Sequence, residues 1–130
     1  MKKLILALLI GELVASAVAQ DKSRNTVPKY DPATESTLNG TVQEIKDFDC
    51  NFSRGVESHL ELKMADGSVV EIHLAPVKFM KQYEIVITSG PVEVVGSKVT
   101  YQNSQTVLAR KVSQGGNTYE FRDPHGKPYW

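Results

Sequence analysis

His59, Glu61 and His73 are the residues whose types and spacing suit chemistry best. Two imidazoles and a carboxylate are nitrogen and oxygen donors of the kind that hold zinc or copper. The surrounding pattern says how they would meet. Leu60, Leu62 and Met64 alternate with His59, Glu61 and Lys63, and Val70, Ile72 and Leu74 alternate with Glu71 and His73. Strand side chains point to opposite faces in turn, so each run has one apolar and one polar face. Ala65-Asp66-Gly67-Ser68 between them is a turn signal, and the whole reads as a hairpin. Burial of one shared face is met by Leu62 opposite Ile72, through an odd-length loop with Gly67 left-handed. Glu61 then faces His73, His59 lies diagonally beside it, and Glu71 faces Lys63. The plainer alternative is a solvated strand face, on which a His73–Glu61 pair contributes about 0.2–1 kcal/mol.

Other candidates carry less chemistry. Cys50 is the only cysteine, so no internal disulfide can form. It falls in a polar stretch, Asp47 to Val56, read as a loop. Asp47 and Asp49 beside it would raise a thiol pKa rather than activate it. A free or intermolecularly paired thiol is expected. The polar face holding His59, Glu61, Lys63, Glu71 and His73 has mixed charge and no aromatic residue. Binding of single-stranded nucleic acid uses stacking aromatics and cations, so this reading is third in rank. Tyr129 and Trp130, after the turn Asp123-Pro124-His125-Gly126, are expected to fold back as an aromatic plug. The sequence contains no phosphate-binding Gly loop, nucleophile elbow, zinc-protease helix or dinucleotide fingerprint.

The N-terminus has a secretory layout. Lys2 and Lys3 precede the apolar run Leu4 to Ile10, and Ala17-Val18-Ala19 supplies small residues for cleavage. The run is short of the roughly 20 apolar residues that span a bilayer, and Glu12 interrupts it. A signal peptide over residues 1–19 is expected, with a bacterial periplasmic or secreted mature chain and no membrane span after cleavage. Retention as an anchor is the alternative. Cleavage would remove Lys2, Lys3 and Glu12 and leave the charge near −1. Such a neutral domain has no strong pull toward nucleic acid or anionic lipid.

The rest of the chain divides into an extended lead-in, residues 20–36, and one domain, residues 37–130. The lead-in is polar and carries Pro28 and Pro32. A first strand over Leu38 to Ile45 and the hairpin follow. Pro76 opens a short helix on which Phe79, Met80 and Tyr83 share a face. Val92 to Tyr101 is a strand with a bulge at Gly96, and Thr106 to Val112 is another. Gln114-Gly115-Gly116-Asn117 turns into a last strand, Thr118 to Arg122. Three antiparallel strands, a helix, then further strands is the order of the OB-fold. The expected fold is therefore mostly β: a small OB-like antiparallel barrel with one short helix between strands 3 and 4.

Several segments together resemble the MamS/MamX-like family of small exported bacterial domains related to magnetosome proteins. They are Tyr30 to Glu35, Gly40-Thr41-Val42, His59 to Lys63, Glu71 to Pro76, Val92 to Val99, Leu108 to Val112 and Arg122 to Trp130. The resemblance implies an envelope β-barrel domain. The Cys-x-x-Cys-His haem motif of some magnetosome relatives is absent here, so no haem is expected. The family's His-Leu-Gly-Pro becomes His73-Leu74-Ala75-Pro76. The expected function is a non-catalytic binding or assembly module, not an enzyme, whose partner is an envelope protein or small ligand. A periplasmic metal-binding domain using His59, His73 and Glu61 is the alternative.

Overall fold

The computed structural model describes residues 27–130. The signal peptide expected over residues 1–19, and the lead-in up to residue 26, lie outside the described residues. A 3-10 turn, Pro32–Thr34, precedes six strands and one helix. These are β1 (Glu35–Cys50), β2 (Gly55–Lys63), β3 (Val69–Pro76), α1 (Val77–Gln82), β4 (Gly90–Tyr101), β5 (Ser104–Gln114) and β6 (Asn117–Glu120).

The sheet order is β3-β2-β1-β4-β5-β6, and β3 also pairs with β5. That last pairing is parallel, Ile72 with Val107 and His73 with Leu108, and it closes the ring. Closure leaves the first five strands without a free edge along the seam. β1 serves two neighbours: Glu35 to Val42 pair with β4, and Thr41 to Cys50 pair with β2. A register shift between Val42 and Glu44 marks the bend. Connectivity, closure and the helix between β3 and β4 are those of an OB-type barrel.

The alternating apolar residues line the interior. Leu38, Val42, Leu60, Leu62, Ile72, Leu74, Val94, Val107, Ala109 and Val112 are buried together. Each buried Leu, Ile or Val side chain stabilises by about 1.5–3 kcal/mol. α1 is too short to persist alone. It is held by buried Phe79, whose ring centroid lies 6.2 Å from that of buried Phe121.

The chain's described start is tied to this barrel. Asp31 caps the 3-10 turn through the Ala33 N–H, and its own N–H donates to Ser97 Oγ at 3.0 Å. Arg110 donates through Nε and Nη2 to the two Glu35 oxygens, at 2.5 and 3.2 Å. This holds the Glu35 carboxyl below its ordinary value.

The structure differs from the sequence reading in three places. β1 runs on to Cys50, and the expected ten-residue loop shrinks to Asn51–Arg54. Asp47 to Cys50 form ladder pairs with Ser58 to Gly55, because backbone hydrogen bonding is indifferent to polar side chains. The hairpin register is also different: Leu60 faces Ile72 and Leu62 faces Val70. Finally, the aromatic tail is no buried plug: the Trp130 ring lies 5.6 Å from Phe79, yet Trp130 and Tyr129 stay 37% and 51% exposed.

Two glycines mark where backbones touch. A Cβ on Gly40 would stand 2.6 Å from the Lys63 carbonyl oxygen, and one on Gly96 would stand 2.5 Å from that of Leu108. Gly96 is the bulge expected from sequence, with the β4–β5 register shifting between Val95 and Gly96. Gly40→Ala and Gly96→Ala are each expected to lose about 1–3 kcal/mol in urea unfolding. Val69→Ala, at an exposed position, should stay within about 0.5 kcal/mol.

Candidate metal centre

His59 and His73 sit directly opposite one another on β2 and β3. A register shift between Ser58 and His59 leaves Leu74 unpaired and brings Glu57 opposite Pro76. The three polar side chains then converge on the outer face of the hairpin. Their surroundings are closed: Glu57 and His59 are each 2% exposed, and His73 is 6% exposed. Phe48 stacks on the His59 ring at 3.9 Å and 9°. Phe52 tilts against His73 at 4.5 Å. The face expected to be solvated is thus buried at this end by aromatics from β1 and the loop after it.

The contacts form a triangle. Glu57 Oε1 lies 3.0 Å from His59 Nε2 and 2.8 Å from His73 Nδ1, and the two nitrogens are 2.9 Å apart. Cys50 Sγ is 3.6 Å from His73 Nδ1. One donor atom from each of Cys50, Glu57, His59 and His73 lies within 4.8 Å of all the others.

Hydrogen bonding alone serves this triangle poorly. A ring nitrogen offers either one proton or one lone pair. If both nitrogens donate to Glu57, the two N–H groups oppose each other. If one is deprotonated, a contact to the carboxylate is left without a hydrogen. A cation held by all three atoms, out of their plane, would satisfy every edge together. Zinc at about 2.0–2.1 Å from each nitrogen needs a nitrogen separation of about 3.3 Å, a few tenths of an ångström beyond that found.

Electrostatics sharpen the site. Burial pushes the Glu57 carboxyl up, but hydrogen bonds from His59, His73 and Ser53 outweigh it and bring the pKa down to about 2. Burial pushes the Cys50 thiol up to about 11, aided by the Glu57 and Glu71 charges and opposed by the Phe52 backbone N–H. A thiol held this way is no activated nucleophile. As a metal ligand it would bind as the thiolate, its proton displaced by the ion and released to solvent.

Outside the four donors, Glu71 Oε1 stands 3.6 Å from His73 Nε2. This is the outward nitrogen that a carboxylate commonly orients in metal-bound histidines. His59 Nδ1 is buried with no hydrogen-bond partner. Ligation through Nε2 places a proton there, at a cost of about 1–3 kcal/mol.

Of the residues chosen from sequence, the structure brings His59 and His73 together and leaves Glu61 out. Glu61 faces Glu71, and its Oε1 accepts from Lys46 Nζ at 3.3 Å. Glu57 takes the place beside both imidazoles expected of Glu61. It is legible as the residue two positions before His59, on the same strand face, once β2 reaches back to Gly55. Cys50 reads from sequence as a loop thiol with no activating base, and the continuation of β1 to Cys50 is what sets its Sγ 3.6 Å from His73 Nδ1.

The hydrogen bonds that depress Glu57 have a pH signature. Its contribution to stability is complete above the ordinary carboxyl value of 4.5 and is lost as pH falls toward 2. Urea midpoints between pH 7 and 3 should therefore decline more gently in Glu57→Gln than in the parent. Glu35 adds a decline of the same sign that this variant keeps. An unchanged slope would remove the buried carboxylate from the account.

The architecture is an OB-type barrel carrying a Cys/Glu/His/His cluster on its β1–β2–β3 face. Residues 34–119 match the MamS/MamX magnetosome protein family. The chain belongs to that family, and all four donors fall inside the matched stretch. No curated protein matches it. Among similar solved structures is the dimeric N-terminal domain of the PriB protein from Thermoanaerobacter tencongensis. It has 18% identity and a TM-score of 0.43, over 62% of this chain and 94% of that one. Another is Rim1, a mitochondrial single-stranded DNA binding protein from S. cerevisiae. It has 8% identity and a TM-score of 0.42, over 68% of this chain and 99% of that one. Among the described residues, no helix is long and apolar enough to cross a membrane.

Proposed function

We propose that this chain is an exported, non-catalytic binding module of the bacterial envelope whose ligand is a transition-metal ion of the zinc or copper class. Cys50, Glu57, His59 and His73 would hold it. The observation that carries this reading is the triangle of Glu57 Oε1, His59 Nε2 and His73 Nδ1, with all sides at 2.8–3.0 Å and too few protons to bridge it. The thiolate, imidazole and carboxylate set suits a borderline ion better than calcium or magnesium, which prefer oxygen alone. Export rests on the layout of residues 1–19, and assembly with an envelope partner is a second role the same surface permits.

Titration calorimetry of zinc and copper(II) into the chain tests the proposal. One site per chain is expected. His59→Ala/His73→Ala should weaken zinc by at least about 100-fold, a ligand loss exceeding the roughly 10–100-fold typical of outer-shell changes. Glu61→Gln should bind as the parent does. Affinity unaltered in the double histidine variant would defeat the reading. A chelator should leave the far-UV circular dichroism intact, since the barrel interior is packed by residues pointing away from the four donors. Export is tested separately by mass spectrometry of the cell-envelope fraction, which should find an N-terminus at Gln20.

A further inference from the structure

One side of the cluster opens to a cavity. A cleft of about 380 Å³ lies between the β1–β2 loop and the β4–β5 loop, and its walls include Cys50, Glu71, His73, Tyr101, Gln102 and Ser104. The donor set is divided by this geometry. Glu57 and His59 are nearly sealed, at 2% exposure, with Phe48 stacked over the latter and the barrel interior behind them. Cys50 and His73 face the cleft.

The geometry points to the cleft as the passage through which the metal ion enters and leaves, which makes the centre an exchangeable carrier site rather than a structural staple. This inference rests on the metal reading above. Three observations support it. The cleft has the size: six waters at about 30 Å³ each come to about 180 Å³, so a hydrated divalent ion fits. It has the charge: Asp49 and Glu71 line it, and no Lys or Arg does, so the local field draws cations inward. It also has the donors in sequence. An arriving ion meets the Cys50 thiol on the wall, 3.6 Å from the inward His73 Nδ1, before the sealed Glu57 and His59, and a leaving ion can be taken by an outside chelator while still held by the inner pair. Phe52 stands 4.8 Å from Tyr101 across the loops, and Asn51 Nδ2 donates to the Tyr101 hydroxyl at 3.2 Å, so the two sides form one lip.

Stopped-flow exchange of zinc between the full chain and a chromophoric chelator tests the passage. Ser104→Trp changes an exposed rim residue outside the donor set. It should slow capture and release together by about 10-fold while the equilibrium constant stays within about 2-fold, as for a barrier placed on the path and not on the bound state. Asp49→Asn should slow capture by about 2–3-fold at low ionic strength, with the difference vanishing at high salt. Wild-type rates in Ser104→Trp together with capture by Asp49→Asn as fast as the parent's at low ionic strength would overturn the passage. That result is distinct from failure of the metal reading, in which the parent takes up no zinc or keeps its affinity after loss of both histidines.

Discussion

Two rungs of parallel ladder, Ile72 with Val107 and His73 with Leu108, turn an open meander into a ring. Both the dry interior and the polar cluster depend on that seam. Ile72 points inward at the seam and is fully buried. His73, one residue on, points outward, and β5 arriving beside it brings the β4–β5 loop over the same face. The Thr106 hydroxyl donates to the Glu71 carbonyl at 3.0 Å, which fastens β5 to β3 where the cleft begins. An unclosed sheet would leave His73 on an edge strand in water, with no cleft wall opposite it.

The cluster opposes the tendency of a buried surface to satisfy its polar groups. Protein interiors leave few such groups unpaired. Here two imidazoles and one carboxylate are pressed together with a surplus of contacts over protons, and His59 Nδ1 is unpaired. The barrel tolerates this because its stability comes from the other face. Leu60, Leu62, Ile72 and Leu74 alternate with the polar residues and pack inward, so strain among the outward groups does not loosen the core. A cation held there, as proposed, would remove both the N–H opposition and part of the desolvation of Glu57.

Period-two alternation made the fold readable but not the contacts. The inward positions of β2 and β3, the turn at Gly67, the bulge at Gly96 and the helix after Pro76 all follow from local pattern and stereochemistry. The hairpin register does not. Sliding the pairing of Leu62 from Ile72 to Val70 changes it by two residues, and such a slide keeps every side chain on its face. Burial therefore cannot distinguish the two registers, yet they differ in which polar residues meet. One sets Glu61 against His73, and the other sets His59 against His73. Cys50 was illegible for a different reason. Its place in the cluster requires β1 to continue through Asp47, Phe48 and Asp49, a stretch whose composition argues for a loop. Only the partner strand, offering Gly55 to Ser58, decides the matter.

The same logic separates what the terminal segments do from what the site does. Arg122 lies between Tyr30 and Trp130, 5.5 and 5.1 Å from their rings, and its Nη1 donates to the Gly126 carbonyl. Tyr30 also donates to Glu35 at 2.5 Å, where Arg110 binds as well. These contacts join the described start and the end of the chain over the side of the barrel where β1 begins. The cluster occupies the far end of β1, at Cys50. A sixteen-residue strand at about 3.3 Å per residue spans about 50 Å of chain between the two. Loss of the terminal contacts would be felt in global stability, through β1 and its ladder to β4. The donors are positioned by pairs among the end of β1, β2 and β3, and the terminal segment reaches them through charge, since Glu57 attracts the half-buried Arg122 guanidinium.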